Sequence, residues 1–317
     1  MHPTSKHFDL EPLTDGVYAV IAKEGGVAGS NAGIVDLGDR VLVFDLGMAP
    51  QGARDLISAA QCVTGRPVTL AINSHWHPDH VLGNQALPPA TALISTARTR
   101  TLIAERIPAI IAQRRKETSE KLGELHLQLQ NVDDPEKTNR LGREVDFYRM
   151  VMEDMPGLAV RVPEVTFQGK VTFHGPARRV ELVTFGGGHT ASDALLLLPD
   201  DQILFAGDLL FHECHPWLGD GDPDEWLRIY NAIEALDPPV QVIVPGHGAV
   251  ATPEALAALR RYLPVLQRLV DDLHKNHGTV DDAAAVPVPA AFSDWQEAST
   301  FARNMRFLFE RTGANHD

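Results

Sequence analysis

Residues 74–84 read SHWHPDHVLGN, and within six of them stand His75, His77, Asp79 and His80. Imidazole and carboxylate are borderline to hard ligands, suited to zinc, iron or manganese. His75 and His77 are two apart, so on an extended segment their side chains point the same way. Pro78 then imposes a turn, which can aim Asp79 and His80 at a neighbouring point. This layout suits two adjacent metal ions better than one. Three further residues of the same kind follow: His189 in FGGGHTASD, Asp208 in LFAGDLLF and His247 in VIVPGHG. Each stands at the C-terminal end of an apolar run. A lone histidine there is ordinarily a hydrogen-bonded structural residue, but four independent instances point to a metal site.

The elements that must carry these residues alternate between strand and helix, which places the chain in the α/β class. Short apolar runs at 16–22, 31–38 and 40–47 read as strands, the last two as a hairpin turning at Gly38-Asp39. A helix is expected over 49–65, with Leu56, Ile57 and Ala60 on one face. The continuous apolar run 67–74 reads as a buried strand delivering the histidine cluster. Strand-like runs return at 165–175, 179–188, 194–208 and 240–248. Helical patterns fill 223–236, 253–275 and 294–311. The last of these carries Phe301, Met305 and Leu308 at core-packing spacing. Before it, 281–295 is a Pro/Ala-rich connector. Residues 97–155 are charged, punctuated by Leu and Ile and almost free of glycine. They predict two or three helices broken near NVDDPEK. Such an insertion either simply packs on the core or serves as a lid or a homodimer surface. A single domain is expected over 1–317, including the helical insertion 97–155 and a C-terminal helical segment 253–312.

Composition narrows the functions. With 317 residues, 44% of them hydrophobic, the chain can bury a large core. Cys62 and Cys214 cannot form a disulfide framework. A formal charge of -14 disfavours nucleic acid as a partner. The N-terminus shows no apolar run behind a basic start, and no segment reaches the length of a membrane span. The expectation is a cytoplasmic protein acting on a small molecule, with no membrane partner. EGGVAGSNAG (24–33) lacks the Lys-Ser/Thr of a phosphate loop and reads as a flexible hairpin beside the site. No Gly-x-Ser-x-Gly elbow supports a serine hydrolase.

The motif His-x-His-x-Asp-His at 75–80, followed in order by His189, Asp208 and His247, resembles the metallo-β-lactamase fold superfamily of metallohydrolases. With the leading strands and Asp45 in VFDLG, the resemblance covers most of residues 15–250. It is specific for the fold and much less so for the substrate. It implies an αββα sandwich with the site at one edge. It assigns His75, His77 and His189 to one metal, and Asp79, His80 and His247 to a second, with Asp208 bridging. Two zinc ions per chain are implied, with iron or manganese as alternatives. Asp79 and Asp208 are the catalytic candidates, Asp79 also orienting a metal-bound hydroxide. Asp45 either supports a ligand imidazole or forms a turn before Gly47. Asn84 binds a carbonyl oxygen or caps a helix. In FHECHPWLGDGD (211–222), His212, Glu213, His215 and Trp217 either touch substrate or are solvated loop residues. β-Lactamases of this superfamily usually carry Cys or Ser where Asp208 stands. The expected reaction is therefore hydrolysis of a small ester, thioester or lactone, as in glyoxalase II-type thioesterases and lactonases. The alternatives are β-lactamase-like amide hydrolysis and a mononuclear iron dioxygenase acting on a sulfur substrate.

Overall fold

The computed structural model describes residues 3–313. Residues 1–2 and 314–317, the ends of the expected 1–317 span, lie outside it. Seven strands form a first sheet in chain order: β1 (Phe8–Thr14), β2 (Val17–Ala22), β3 (Ala32–Asp36), β4 (Val41–Phe44), β5 (Val68–Ile72), β6 (Ala92–Thr96) and β7 (Val165–Phe167). β1 to β4 pair antiparallel, and β4 to β7 parallel. The second sheet holds β8 (Lys170–His174), β9 (Arg179–Gly186), β10 (Asp193–Leu198), β11 (Ile203–Phe211) and β12 (Val242–His247), in the order β12-β11-β10-β9-β8.

Side-chain alternation sorts each strand between two cores. Val35, Leu42 and Phe44 face inward and pack against Leu182, Leu196 and Phe205 of the second sheet. Ile34, Val41 and Val43 face outward, under Ala53, Leu56 and Ala60 of α1 (Pro50–Thr64). Pro50 starts that helix without losing a hydrogen bond, and Gly65 ends it in the left-handed region, donating to the Gln61 carbonyl. Across the second sheet, Leu195, Leu197 and Leu204 face outward. They are covered by α5 (Pro223–Glu234), α6 (Glu254–Lys275) and α8 (Ala298–Gly313). Phe301, Met305 and Leu308 are buried in that layer, as their spacing predicts. The result is the αββα sandwich.

The segment 97–155 forms α3 (Ala97–Gln130) and α4 (Pro135–Asp154), after the single-turn α2 (Pro78–Val81) in the histidine loop. The break falls at 131–134, where the Asp134 carboxylate accepts from the Glu136 and Lys137 amides and caps α4. Ile103, Ile107 and Val151 of this hairpin pack on Trp76, Val81 and Leu82, so its base rests on the histidine loop. Towards its tip only Leu125, Leu141 and Val145 form a buried cluster.

Several elements differ from expectation. The run 165–175 is two strands in different sheets, separated at Gly169 (φ 62°). The run 194–208 is a hairpin of β10 and β11. Two strands lie outside the expected runs: β1, whose alternation in FDLE breaks at Pro12, and β6, which has none. The connector 281–295 begins inside a short helix, α7 (Val280–Ala285), closed by a Thr279/Asp282 capping box. Hydrophobic periodicity reports burial, not which sheet a strand joins or where a buried run reverses direction, and this explains the first two differences. Among the described residues no helix is long and apolar enough to cross a membrane.

Candidate metal centre

All seven candidate ligands converge at one edge of the sandwich, in two groups: His75, His77, His189 and Asp208, and Asp79, His80 and His247. His75 and His77 leave the end of β5, and Pro78 starts the turn that carries Asp79 and His80. His189 stands between β9 and β10, and His247 ends β12. Asp208 lies inside β11 rather than at its end. There the pairing with β12 is irregular and Gly207 adopts φ 52°. Opposite it, a Cβ on Gly246 would stand 1.8 Å from Asp208 Oδ1, so only glycine admits the carboxylate.

The Asp208 carboxylate divides its oxygens between the groups. Oδ2 lies 3.2 Å from His189 Nε2 and 3.7 Å from His75 Nε2. Oδ1 lies 3.0 Å from His80 Nε2 and 3.5 Å from His247 Nε2. Asp79 Oδ2 closes the second group, 3.3 Å from His247 Nε2 and 3.6 Å from His80 Nε2.

Behind the ligands, hydrogen bonds set which ring nitrogen is free. Asp45 is fully buried, accepts from the Ser74 amide and Oγ, and lies 2.8 Å from His80 Nδ1. Ser74 Oγ, having donated to Asp45, accepts from His75 Nδ1 at 2.9 Å. One carboxylate thereby fixes two imidazoles, leaving both Nε2 lone pairs aimed at the cluster. Asp45 sits at φ 61°, an unusual conformation for a non-glycine residue that is commonest at functional sites. His77 is held from the other side: its Nε2 lies 3.2 Å from Asp220 Oδ2, leaving Nδ1 2.9 Å from His189 Nε2. Asp220 also accepts from Arg106 of α3 and Trp217 Nε1.

The cluster is built to attract positive charge. His75 Nε2, His80 Nε2 and Asp208 Oδ1 are buried without a hydrogen-bond partner; the 3.0 Å approach of the last two is not aligned as one. Buried polar atoms are rarely left unsatisfied, and acceptors that converge with nothing donating between them fit a cation. Titration behaviour agrees. Burial pushes His75 well down. Burial also opposes charge on His80 and His247, yet Asp208 and neighbouring carboxylates raise His80 well above the usual range and His247 to about 10. Burial opposes charge on Asp208 and Asp79 too, but the imidazoles hold both below the usual carboxylate range. Five imidazoles and two carboxylates, one shared, are a donor set for two borderline divalent ions.

A cleft of about 500 Å³ opens over the cluster, within the range for small-molecule sites. Asp79, Asp208, His247, His215 and Trp217 line it. His215 is buried among Tyr262, Trp295 and Phe301, with Nδ1 3.0 Å from Tyr262 Oη; burial lowers its pKa. Asn84 and His212 are not brought to the cleft. Asn84 pairs with Asn73 in a buried double amide contact beneath the loop, and His212 faces the Ala249 carbonyl. Glu213 is exposed, at φ 53°. The stretch 24–33 does border the cleft through Gly29, but it is anchored rather than loose. Ser30 Oγ donates to the Asp79 carbonyl, and Asn31 Nδ2 to those of Pro245 and Gly248. Sequence reasoning missed Ser74, Asp220 and Arg106. Ser74 adjoins the motif and Asp220 lies in the glycine-rich loop after β11, but Arg106 is one of many charges on α3 and carries no local signal.

A family model described as the metallo-beta-lactamase superfamily matches residues 25–247. A metallo-beta-lactamase type 2 of Bacteroides fragilis is 30% identical over 90 residues, 27% of this chain and 36% of that relative. The match thus spans about a third of that relative's length. Among solved structures, a metallo-beta-lactamase from Pontibacter korlensis superposes with a TM-score of 0.58 at 19% identity, over 81% of this chain and 99% of the other. The metallo-beta-lactamase FIM-1 of Pseudomonas aeruginosa, in its mono-zinc form, gives 0.58 at 17% identity, over 83% and 98%. At these identities the structural likeness shows the fold.

Proposed function

The chain belongs to the metallo-beta-lactamase superfamily of metal-dependent hydrolases, and from that premise we propose that it is a binuclear zinc enzyme cleaving a small ester, thioester or lactone. The observation that carries this reading is the divided carboxylate of Asp208, one oxygen towards His75 and His189, the other towards His80 and His247. A carboxylate shared in this way supports two ions more readily than the single iron of a dioxygenase. His75, His77 and His189 would hold one zinc, Asp79, His80 and His247 the other, and Asp208 both. Zinc bound there supplies Lewis acidity and makes a water acidic enough to attack at neutral pH.

The chain's own groups do the rest. Asp79, half-buried at the cleft, stays ionised because His80 and His247 outweigh its burial. In this reading it is the carboxylate that would orient the attacking water. Asp45 and Asp220 keep three imidazoles in the required tautomers. Phe211, stacked on His247 with centroids 5.0 Å apart, and Trp226, against His189, shield the cluster from bulk water. A second reading, amide hydrolysis of the β-lactam kind, is favoured by the names of the relatives. Elemental analysis of protein purified without added metal, followed by a screen of esters, thioesters, lactones and β-lactams, tests both. About two zinc per chain with ester, thioester or lactone turnover supports the first reading. β-Lactam turnover alone selects the second. About one iron, with no hydrolysis, overturns both.

A further inference from the structure

The cleft over the cluster has two arginines that the hydrolytic chemistry does not use. Arg114 comes from α3, in the helical hairpin, and Arg303 from α8, beyond the segment matched by the family model. Among the described residues neither guanidinium makes a hydrogen bond or ion pair. Exposed arginines elsewhere, such as Arg98 and Arg140, are also unpaired and need no explanation, since water solvates them. Arg114 is different because it is half-buried. Its neighbours in the same hairpin show the usual solution: Arg106 pairs with Asp220, and Arg115 donates to the Met155 and Leu158 carbonyls. Burying a guanidinium without a partner is costly unless something in the working protein supplies one. The charges that favour its ionised form include Asp79, a candidate ligand, and Glu117; burial works against it.

Arg303 is exposed but positioned. Its Cζ lies 4.3 Å from the centroid of Trp217, over the ring. Stacking of this kind fixes a guanidinium through its face and leaves its N–H edge free to bind. Arg114 also lines a second cavity of about 460 Å³ between α3 and α4, with Phe147, Tyr148, Lys121 and the carboxylates of Glu117, Glu120 and Glu124. Of the carboxylates lining the cleft over the cluster, Asp79 and Asp208 belong to the ligand set and Asp220 is paired with Arg106. Glu297 is exposed and makes no ion pair. Two divalent ions in the ligand set would leave this lining net positive.

Resting on the hydrolase reading above, we propose that the substrate carries, apart from the bond that is cleaved, an anionic group — a carboxylate, sulfate or phosphate — received by Arg114 and Arg303. Planar forks of N–H donors match such oxyanions geometrically, which makes arginine apt for the task.

The test is a binding measurement on the zinc-loaded protein. Acetohydroxamate and the monohydroxamates of succinic and glutaric acid are titrated by calorimetry. All three share one chelating head, and the last two add a carboxylate on a tether. A charged probe is expected to bind about tenfold or more tighter than acetohydroxamate, the scale of a charge-assisted hydrogen bond. Arg114→Ala and Arg303→Ala should each shrink that ratio, and the double variant should bring it close to one. Arg303 is exposed, so its variant remains informative should Arg114→Ala fold poorly, and R303E should disfavour the charged probes outright. Equal affinities in the wild type, or a preference that both single variants retain, overturns the proposal and leaves the hydrolase reading standing. Failure of all three probes to bind overturns both.

Discussion

The floor and the wall of the cleft are built on different principles. The floor is the edge of the sandwich, where every candidate ligand imidazole except His247 is buried and most are held by a second group. Asp45 alone, through one carboxylate, orients His80 directly and His75 through Ser74. The wall is the hairpin of α3 and α4. It touches the ligand system through one ion pair, Arg106 with Asp220, and through apolar packing on Trp76. Its tip has three buried apolar residues. Under the proposed function, the difference gives reactivity to the floor and selectivity to the wall. Groups that must hold charge out of water need a rigid, fully satisfied surround, whereas a wall that only shapes access tolerates sparse packing. Substitutions graded from floor to tip should therefore fall off in effect.

The sharpest break is Asp208→Asn. It keeps the volume but removes the charge that both groups share. With several kcal/mol of charge stabilisation at stake, kcat should fall roughly a thousandfold, and elemental analysis should find fewer than two zinc per chain. A floor that kept both ions and most of its rate would remove the distinction. Protons compete for the same positions. His80 and His247 are raised in the metal-free protein, His247 to about 10, so at neutral pH both carry protons that a metal must displace. The sign follows: zinc affinity rises as pH rises and is lost as pH falls. If two protons leave, the slope approaches a hundredfold per pH unit over about pH 6 to 9. Competition titrations with a chelator across that range measure it, and a flat profile would mean that neither histidine binds.

Asp45→Asn probes the support behind the floor. Asparagine tolerates the φ of 61°, so the change isolates the carboxylate from the backbone. Asparagine keeps one acceptor oxygen and sets an N–H donor where the other stood, which frees the His80 or the Ser74 orientation, and zinc affinity should fall about 10- to 100-fold. Asp220→Asn acts on one imidazole from a half-exposed position and should cost about tenfold. It also unties Arg106, so the wall should loosen: amide exchange in α3 around Arg106 should rise in Asp220→Asn and stay unchanged in Asp45→Asn.

How much of this contrast the sequence disclosed follows from where the information lies. The floor was legible because ligand-type residues are rare at the ends of apolar runs, and four such placements share one chemistry. The αββα fold, the hairpin at Gly38 and the buried face of α8 were legible from period and resemblance. Asp220 and Arg106 were not, because their role exists only once the loop after β11 meets α3, 114 positions apart in the chain. Asn84 shows the reverse failure. Four residues beyond His80, its polar side chain reads as either a carbonyl-binding group or a helix cap, yet its amide is spent on Asn73 beneath the loop. The split of 165–175 between two sheets was equally hidden, since a strand's partner is chosen by the rest of the fold.

The tip of the wall sets the smallest expected effect. Leu141 packs with Leu125 and Val145, none of which lines the cleft over the ligands or joins the cores of the sandwich. Truncating a buried leucine costs about 2–5 kcal/mol where the surround is dense and cannot relax. Here the surround is two helices with solvent on most sides, and Leu127 beside it is 63% exposed, so the cavity can collapse. Leu141→Ala should therefore fall at or below the low end of that range. Its cost should appear as faster amide exchange confined to the distal part of the hairpin, roughly residues 120–146, because local opening there need not disturb the base packed on Trp76. Activity should stay within about twofold of wild type. A loss as large as that of Asp220→Asn would instead mean that the hairpin opens as one unit, with tip, base and Arg106 moving together, and the division between a fixed floor and a loosely held wall would have to be redrawn at the Arg106 ion pair.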